Sequence, residues 1–436
     1  VIVDTRVGVT GFSGHPHDHL VRPGERDRPG GSALARCIDL SADVFADKHW
    51  GQLPLLTQGR PAEFFADLFD ADAVDALVST HGLRTPFVRM AKNGDVVPGR
   101  RFTRSGGAGA TIADQIADDK VLDLLADGTT LVLQALHRTW PALVRFGSGL
   151  AAEIGHPVQI NAYVTPPENQ GFAAHYDNHD VFVLQIAGRK QWRIHEPVVD
   201  DPLPDQKWDQ RRDAVAARAA EPALIDTVLT PGDALYLPRG YLHSASALGE
   251  LTIHLTVGVH PLTRARVLQQ LVASAAHDPR LRGSLPMGVD LADPGVIVPF
   301  VREVAEALAE FATGTAESLA PDVAKCLGDA LAADTRPEPV APLRLGAAVA
   351  SLTASTRLRA RAGLRYRLTR DDESCRLAVL DKTIRTAGAT AAALEVVLDG
   401  RPFTVADLPD IDEPTALDLV RALMRDAVVV PADGVQ

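Results

Sequence analysis

Cysteine is scarce: Cys37, Cys326 and Cys375 are the only three, and they lie far apart in the chain. They form no CxxC pair and no disulfide framework, which fits the reducing environment of a cytoplasmic protein. Long apolar runs are missing as well. No stretch of about eighteen uncharged apolar residues occurs, so no membrane span is expected. The first residues also lack the basic-then-apolar pattern of a secretory signal. An excess of positive charge is absent too. The formal net charge of -12 argues against broad binding to nucleic acid, or nucleic acid as the direct substrate, and leaves room for a basic partner.

The rest is the composition of a globular protein. Apolar residues make up 46% of the 436, a length that predicts two to three domains with room for a large core. The acidity is uneven. From Arg344 onward there are 13 basic and 13 acidic side chains, which leaves 31 basic and 43 acidic in the first 343 residues. Either the larger N-terminal part carries an acidic surface that attracts a basic peptide, or the acidity serves solubility alone.

Residues 1–33 are rich in Gly, Pro, Arg and His, show no periodicity, and read as a mobile tail. The HPHDH run there (His15, His17, Asp18, His19) reads as solvated, because catalytic ligands need rigid elements. Between about 38 and 150 a strand is expected at Thr85–Ala91 and a helix at Val121–Gly128. Residues 156–260 change character. VQINAYV, VFVLQIAG, KQWRIHEP, DTVLTPGD, ALYLPRG and LTIHLTVGV are short apolar runs broken by Pro and Gly turns, the spacing of an antiparallel barrel or sandwich. A polar, helix-like segment, Asp205–Ala220, interrupts them. Residues 262–335 read as helical, with Phe300, Val304, Leu308 and Phe311 on one helix face, and Asp334–Pro339 as a linker. The final unit runs LRYRLT, CRLAVL, a helix near 390–398, FTVADL, a helix near 413–424 and AVVV. That order is winged-helix-like, and its balanced charge favours a structural or protein-contact role over DNA binding. The expected fold is α+β, divided into a tail (1–33), a barrel with flanking helices (34–262), a helical region with linker (263–340) and the winged-helix-like domain (341–436).

The chemistry lies in QGFAAHYDNHDVFVLQIAGRKQWRIHEP, residues 170–197. Residues i and i+2 of a strand point the same way, so His175 and Asp177 are expected to project together. One imidazole and one carboxylate supply two ligands of a facial triad that leaves positions open on iron(II). His243, presented by the bend in PGDALYLPRGYLHSASA, supplies the third. Lys190 alternates with Trp192 and Ile194 on the face expected to point inward, and a buried ammonium demands an anionic partner. His179 is expected in the bend before the next strand, near the entrance. His254 lines the interior or packs within it. Tyr163, Phe182 and Trp192 are expected as walls.

The run INAYVTPPENQGFAAHYDNHDVFVLQIAGRKQWRIHEP, with LPRGYLHSASA, LTIHLTVGV and the earlier FADKHWGQLPLL and LRTPFVRMAKNG, resembles the JmjC-type ribosomal oxygenases of the cupin superfamily. The resemblance covers most of the chain after the first 40 residues and is most specific from 159 to 197. It implies a double-stranded β-helix (jelly-roll) barrel, a helical dimerisation region and a C-terminal winged helix. It further implies iron(II) on His175, Asp177 and His243, 2-oxoglutarate held through Lys190, O2 as the oxidant, and a substrate cleft lined by Asn161 and Tyr163. Members of the family hydroxylate histidine or arginine side chains of ribosomal proteins, and a homodimer is implied. Asn178 and His179 stand where relatives often carry an acidic and an aliphatic residue, which bears on substrate identity. Two rival readings are an oxygenase acting on a biosynthetic peptide or small molecule, and a non-enzymatic cupin-like binding module.

Overall fold

A computed structural model describes residues 32–432 apart from 93, 110, 168, 170–172, 371 and 372. The HPHDH run lies outside the described residues. The chain forms two compact units, one within 26–339 and one within 340–436. No helix among the described residues is long and apolar enough to cross a membrane.

Ten strands build the first unit around its cavity: β1 (Leu55–Thr57), β2 (Val88–Lys92), β3 (Thr130–Leu133), β4 (Val158–Thr165), β5 (Asp180–Ala187), β6 (Lys190–His195), β7 (Ile225–Leu229), β8 (Ala234–Leu237), β9 (Leu242–Ala247) and β10 (Thr252–Val259). The larger sheet runs β1-β8-β5-β10-β4-β3-β2, with the short Asp95–Val96 strand at its edge. The smaller runs β7-β6-β9. All pairings are antiparallel. This is a sheet-rich α+β unit with the antiparallel strands expected from their spacing, and it fits the jelly roll that the resemblance implies. The helix expected at 121–128 is present at Asp118–Ala126, and the polar interruption folds as Arg212–Ala219. The strand expected from Thr85 begins at Val88.

Period-two alternation sorts the side chains between core and cavity. On β4, Ile160, Ala162 and Val164 are buried in the main core, whereas Gln159, Asn161, Tyr163 and Thr165 line the cavity. Helix Pro141–Ile154, with Pro141 in its first turn and Gly155 as a left-handed C-cap, buries Leu143, Phe146 and Leu150 in that same core. Each such burial stabilises by about 1.5–3 kcal/mol. Gly147 permits the close approach, since a Cβ there would sit 3.2 Å from Ile160 Cδ1. On β5, Val181 and Val183 face the cavity. Phe182 faces the opposite way, 5.9 Å from the Phe45 ring and 4.9 Å from Tyr236. The expectation that Phe182 walls the cavity is therefore corrected: strand alternation assigns that place to its two valine neighbours.

The chain passes from β5 in the larger sheet to β6 in the smaller through Gly188, whose φ is +65° and whose added Cβ would run into the Leu251 carbonyl. Beyond the barrel, Arg264–Ala275 packs on a 41-residue helix, Pro294–Asp334. Val298, Val301 and Val304 on it are 45%, 60% and 51% exposed.

In the C-terminal unit, strand Arg357–Ala360 pairs with Phe403–Thr404 and Val429–Pro431. Tyr366–Arg370, Ser374–Val379 and Lys382–Ala387 form a meander. Helices Ala391–Leu398 and Glu413–Arg425, the latter capped by Asp412, close over Leu358, Leu394, Val397 and Leu423. Helix Pro342–Ala350 and strands Arg357–Ala360 and Lys382–Ala387 were not expected from sequence.

Gly188→Ala is expected to lower stability by about 1–3 kcal/mol, from backbone strain plus the clash. Gly249→Ala, at φ +73° with open space around it, should cost less. Urea unfolding of both variants checks this, and equal losses would remove the clash.

Candidate functional site

His175 and Asp177 do not lie in a regular strand as expected. They sit in the irregular stretch before β5, and their shared aim has another cause. His175 N–H donates to the His243 carbonyl at 3.2 Å, and His243 N–H donates back at 2.8 Å. Gly240 N–H then donates to the Asp177 carbonyl at 3.0 Å. Two antiparallel segments, one holding the first two side chains and one the third, are thus tied by backbone bonds. Gly240 is essential to the crossing: its φ is +91°, and a Cβ there would sit 2.6 Å from the Val199 carbonyl oxygen. The structure brings His175, Asp177 and His243 together, with one donor atom from each lying within 4.8 Å of the others.

The imidazoles are oriented for ligation. His175 Nδ1 is 2.8 Å from the Ala173 carbonyl and His243 Nδ1 is 3.2 Å from the Tyr241 carbonyl. A carbonyl only accepts, so each Nδ1 carries the hydrogen and Nε2 is the ring nitrogen with a lone pair suited to a cation. His243 Nε2 lies 3.7 Å from Asp177 Oδ2. Burial, reinforced by His175, pushes His243 down to about 4, so it stays neutral at physiological pH. Burial pushes the Asp177 carboxyl up, but His179, His243 and His175 together hold it below its ordinary value. Two imidazoles, each with its Nδ1 hydrogen-bonded to a carbonyl, and one carboxylate form a donor set suited to a divalent transition metal with positions left open.

Lys190 enters the same cavity from β6 and is 3% exposed. Trp192 and Ile194 share its inward face, as expected, while Arg193 points outward. Its Nζ donates to Thr165 Oγ1 at 3.1 Å and lies 3.4 Å from His254 Nδ1. Burial pulls the ammonium down to about 7. Burial and Lys190 push His254 well below its ordinary value, so His254 is the neutral acceptor. No carboxylate among the described residues pairs with Lys190. The ammonium is thus held by one hydroxyl and one imidazole, with its charge turned into the cavity.

The cavity encloses about 360 Å³. Asn161 and Tyr163 both line it, from β4. Asn161 Oδ1 accepts the Ala135 N–H at 3.0 Å, which leaves its amide hydrogens to donate. Tyr163 stacks on His254 at 5.0 Å. Trp192 sets its edge against His254 at 5.4 Å and, with Tyr163, walls the cavity as expected. His179 lines the cavity close to Gln159 and His260. Sequence reading missed Arg89, which reaches the cavity from β2 and hydrogen-bonds the Tyr163 phenol. Its signal was the alternation of Val88 and Met90, both buried, which turns the residue between them to the other face.

Residues 144–267 match the JmjC domain family. Ribosomal oxygenase 1 of Gallus gallus is 34% identical over 220 residues, 49% of this chain and 34% of that protein. The bifunctional lysine-specific demethylase and histidyl-hydroxylase NO66 of Culex quinquefasciatus is 28% identical over 233 residues, 50% of this chain and 32% of that protein. The chain thus spans about a third of the length of these curated relatives. A crystal structure of the Escherichia coli ribosomal oxygenase YcfD aligns over 90% of this chain and 98% of that one, at 19% identity and a TM-score of 0.47.

Lys190→Met is expected to stabilise the ligand-free protein by at least about 1 kcal/mol at pH 6. A lysine whose folded value lies below its unfolded one costs stability in full below about 7, and that cost fades as pH rises toward the unfolded value. The gain should therefore shrink by pH 9. Urea unfolding at the two pH values checks it; a gain independent of pH would mean the ammonium is not desolvated.

Proposed function

We propose that this JmjC-domain protein is an iron(II)- and 2-oxoglutarate-dependent oxygenase that hydroxylates a side chain, of histidine or arginine type, on a ribosomal protein. One observation carries the reading: a three-donor cluster of metal-ligating type shares a cavity with a buried ammonium that no carboxylate among the described residues pairs. The JmjC domain and the names of the relatives support the same chemistry and the same class of target. A non-enzymatic module calls for a filled interior, whereas this one holds open space. That space lies near the low end of the range of about 300–1,000 Å³ for small-molecule sites, room for a cosubstrate and one side chain.

His175, Asp177 and His243 would hold the iron, and Lys190, beside Thr165, would bind the far carboxylate of 2-oxoglutarate. With O2, the bound pair supplies the oxidising power that turns a C–H bond into C–OH while 2-oxoglutarate becomes succinate and carbon dioxide. The chain's own part is placement and exclusion. Lys190 stays cationic against a carboxylate and fixes one end of the cosubstrate. Val181, Val183 and Trp192 keep that end dry, and Asn161 and Tyr163 orient the target. Asp177 is the only carboxylate among the described lining residues, while Arg89 and Lys190 are cations. A guanidinium would enter without a counter-charge, at a cost of several kcal/mol. A neutral imidazole would instead accept from the Asn161 amide. The histidine reading is therefore the stronger of the two.

The same proposal takes the 341–436 unit as winged-helix-like and the long Pro294–Asp334 helix, with its exposed valines, as the contact of a homodimer. Cys37, Cys326 and Cys375 are all free thiols, which accords with the cytoplasm.

Incubation with iron(II), 2-oxoglutarate and purified ribosomal proteins, followed by mass spectrometry, should show one protein gaining one oxygen. His175→Ala should abolish that gain, and undiminished substrate-dependent succinate formation would contradict the metal assignment. Lys190→Ala should raise the KM for 2-oxoglutarate at least about ten-fold, as expected for a lost charge-assisted contact. An unchanged KM would remove its anchoring role.

A further inference from the structure

Asp180 opens β5 three residues beyond Asp177 and is 0% exposed. One of its oxygens accepts the Arg239 backbone N–H at 2.9 Å, and the other accepts the Tyr236 hydroxyl at 3.1 Å. Arg239 Nη1 stands 3.8 Å away, and Nη2 pairs with Asp201 at 2.8 Å. Tyr236 is itself fixed, because its oxygen accepts the Gly51 N–H at 2.9 Å. Asp180, Tyr236 and Arg239 are not among the residues that line the cavity, and the chemistry proposed above does not use them.

A carboxylate in this position is costly. Burial pushes its carboxyl up, and Arg239 and Tyr236 offset this only in part. Apolar residues of similar volume often serve a core as well or better, so stability alone does not account for the charge. Its location offers a reason. The two segments that carry the candidate ligands run antiparallel, and three ties join them. The His175–His243 backbone pair is the first and the Gly240–Asp177 bond the second. Asp180 with Arg239 is the third: the Asp180 carboxylate accepts the Arg239 backbone N–H and stands in ion-pair range of its guanidinium. Arg239 immediately precedes Gly240, so a shift at residue 239 is passed directly to residues 240–243.

We propose that Asp180 and Arg239 are positioning residues of the candidate metal centre. Their clasp holds the segment bearing His243 in register with the one bearing His175 and Asp177, and so sets the affinity of the site for a divalent cation. This rests on the metal-centre reading above. Tyr236, through Gly51, anchors the clasp to the N-terminal part of the barrel unit.

Cobalt(II) titration of the full chain, read by calorimetry and by the visible bands of the bound ion, tests the proposal alongside thermal unfolding of the metal-free proteins. Asp180→Asn and Arg239→Gln are each expected to weaken cobalt binding by about ten- to a hundred-fold. Arg239→Lys, which restores the charge, should recover part of the loss. A purely structural role would lower the unfolding midpoint and leave the cobalt affinity of the folded protein unchanged, and that result overturns the proposal. Arg239→Gln leaves the backbone N–H to Asp180 in place, so it carries the test should Asp180→Asn fail to fold. His175→Ala separates the two levels. If it binds cobalt as tightly as the parent, the metal-centre reading itself is wrong. If it abolishes binding while the clasp variants match the parent, the clasp alone is wrong.

Discussion

The reciprocal backbone hydrogen bonds between His175 and His243 are the constraint on which the site depends. They join residues 68 positions apart in the chain. Because each residue both donates to and accepts from the other, they fix distance and direction together. The side chains then have little freedom: each Nδ1 is held by a nearby carbonyl, and His243 Nε2 faces Asp177. The rest of the barrel unit supports this pair. β5 and β8 anchor one flank, β6 and β9 the other, and Gly240 allows the chain to turn where any larger residue would meet the Val199 carbonyl.

The second feature is an imbalance of charge inside the cavity. The proposed metal centre contributes one carboxylate, whereas Lys190 and Arg89 contribute two cations. Desolvation alone pulls the Lys190 ammonium down to about 7, so its charge is kept at a cost that a counter-ion would relieve. In the proposed chemistry a carboxylate of 2-oxoglutarate fills that role, so the binding energy of the cosubstrate includes the relief of a cost already present in the folded chain.

Much of this was legible in the sequence. His175, Asp177 and His243 were expected to converge from residue type and spacing, and their donor atoms do come together; the inward face of β6 followed from simple alternation of Lys190, Trp192 and Ile194. The reason given for the HxD pair was incomplete, because its geometry comes from a long-range backbone bridge that no local pattern encodes. Phe182 was misplaced because an aromatic residue beside a site reads equally well as wall or core, and only the register of β5 with β8 and β10 decides. Arg89 was overlooked because β2 lies far from the motif in sequence and meets it through β3 and β4. In the C-terminal unit, Lys382–Ala387 has alternate polar residues and a single half-buried apolar side chain, Ile384, at its centre. Such an edge strand gives almost no hydrophobic signal.

The central claim is that three side chains converge on one cation beside a lysine that receives an acid. Anomalous diffraction from crystals grown with cobalt(II) and 2-oxoglutarate tests it most directly. One strong peak is expected within bonding distance of His175 Nε2, His243 Nε2 and the Asp177 carboxylate, with the cosubstrate's far carboxylate against Lys190 Nζ. A cavity holding neither, with the metal bound elsewhere, would contradict it.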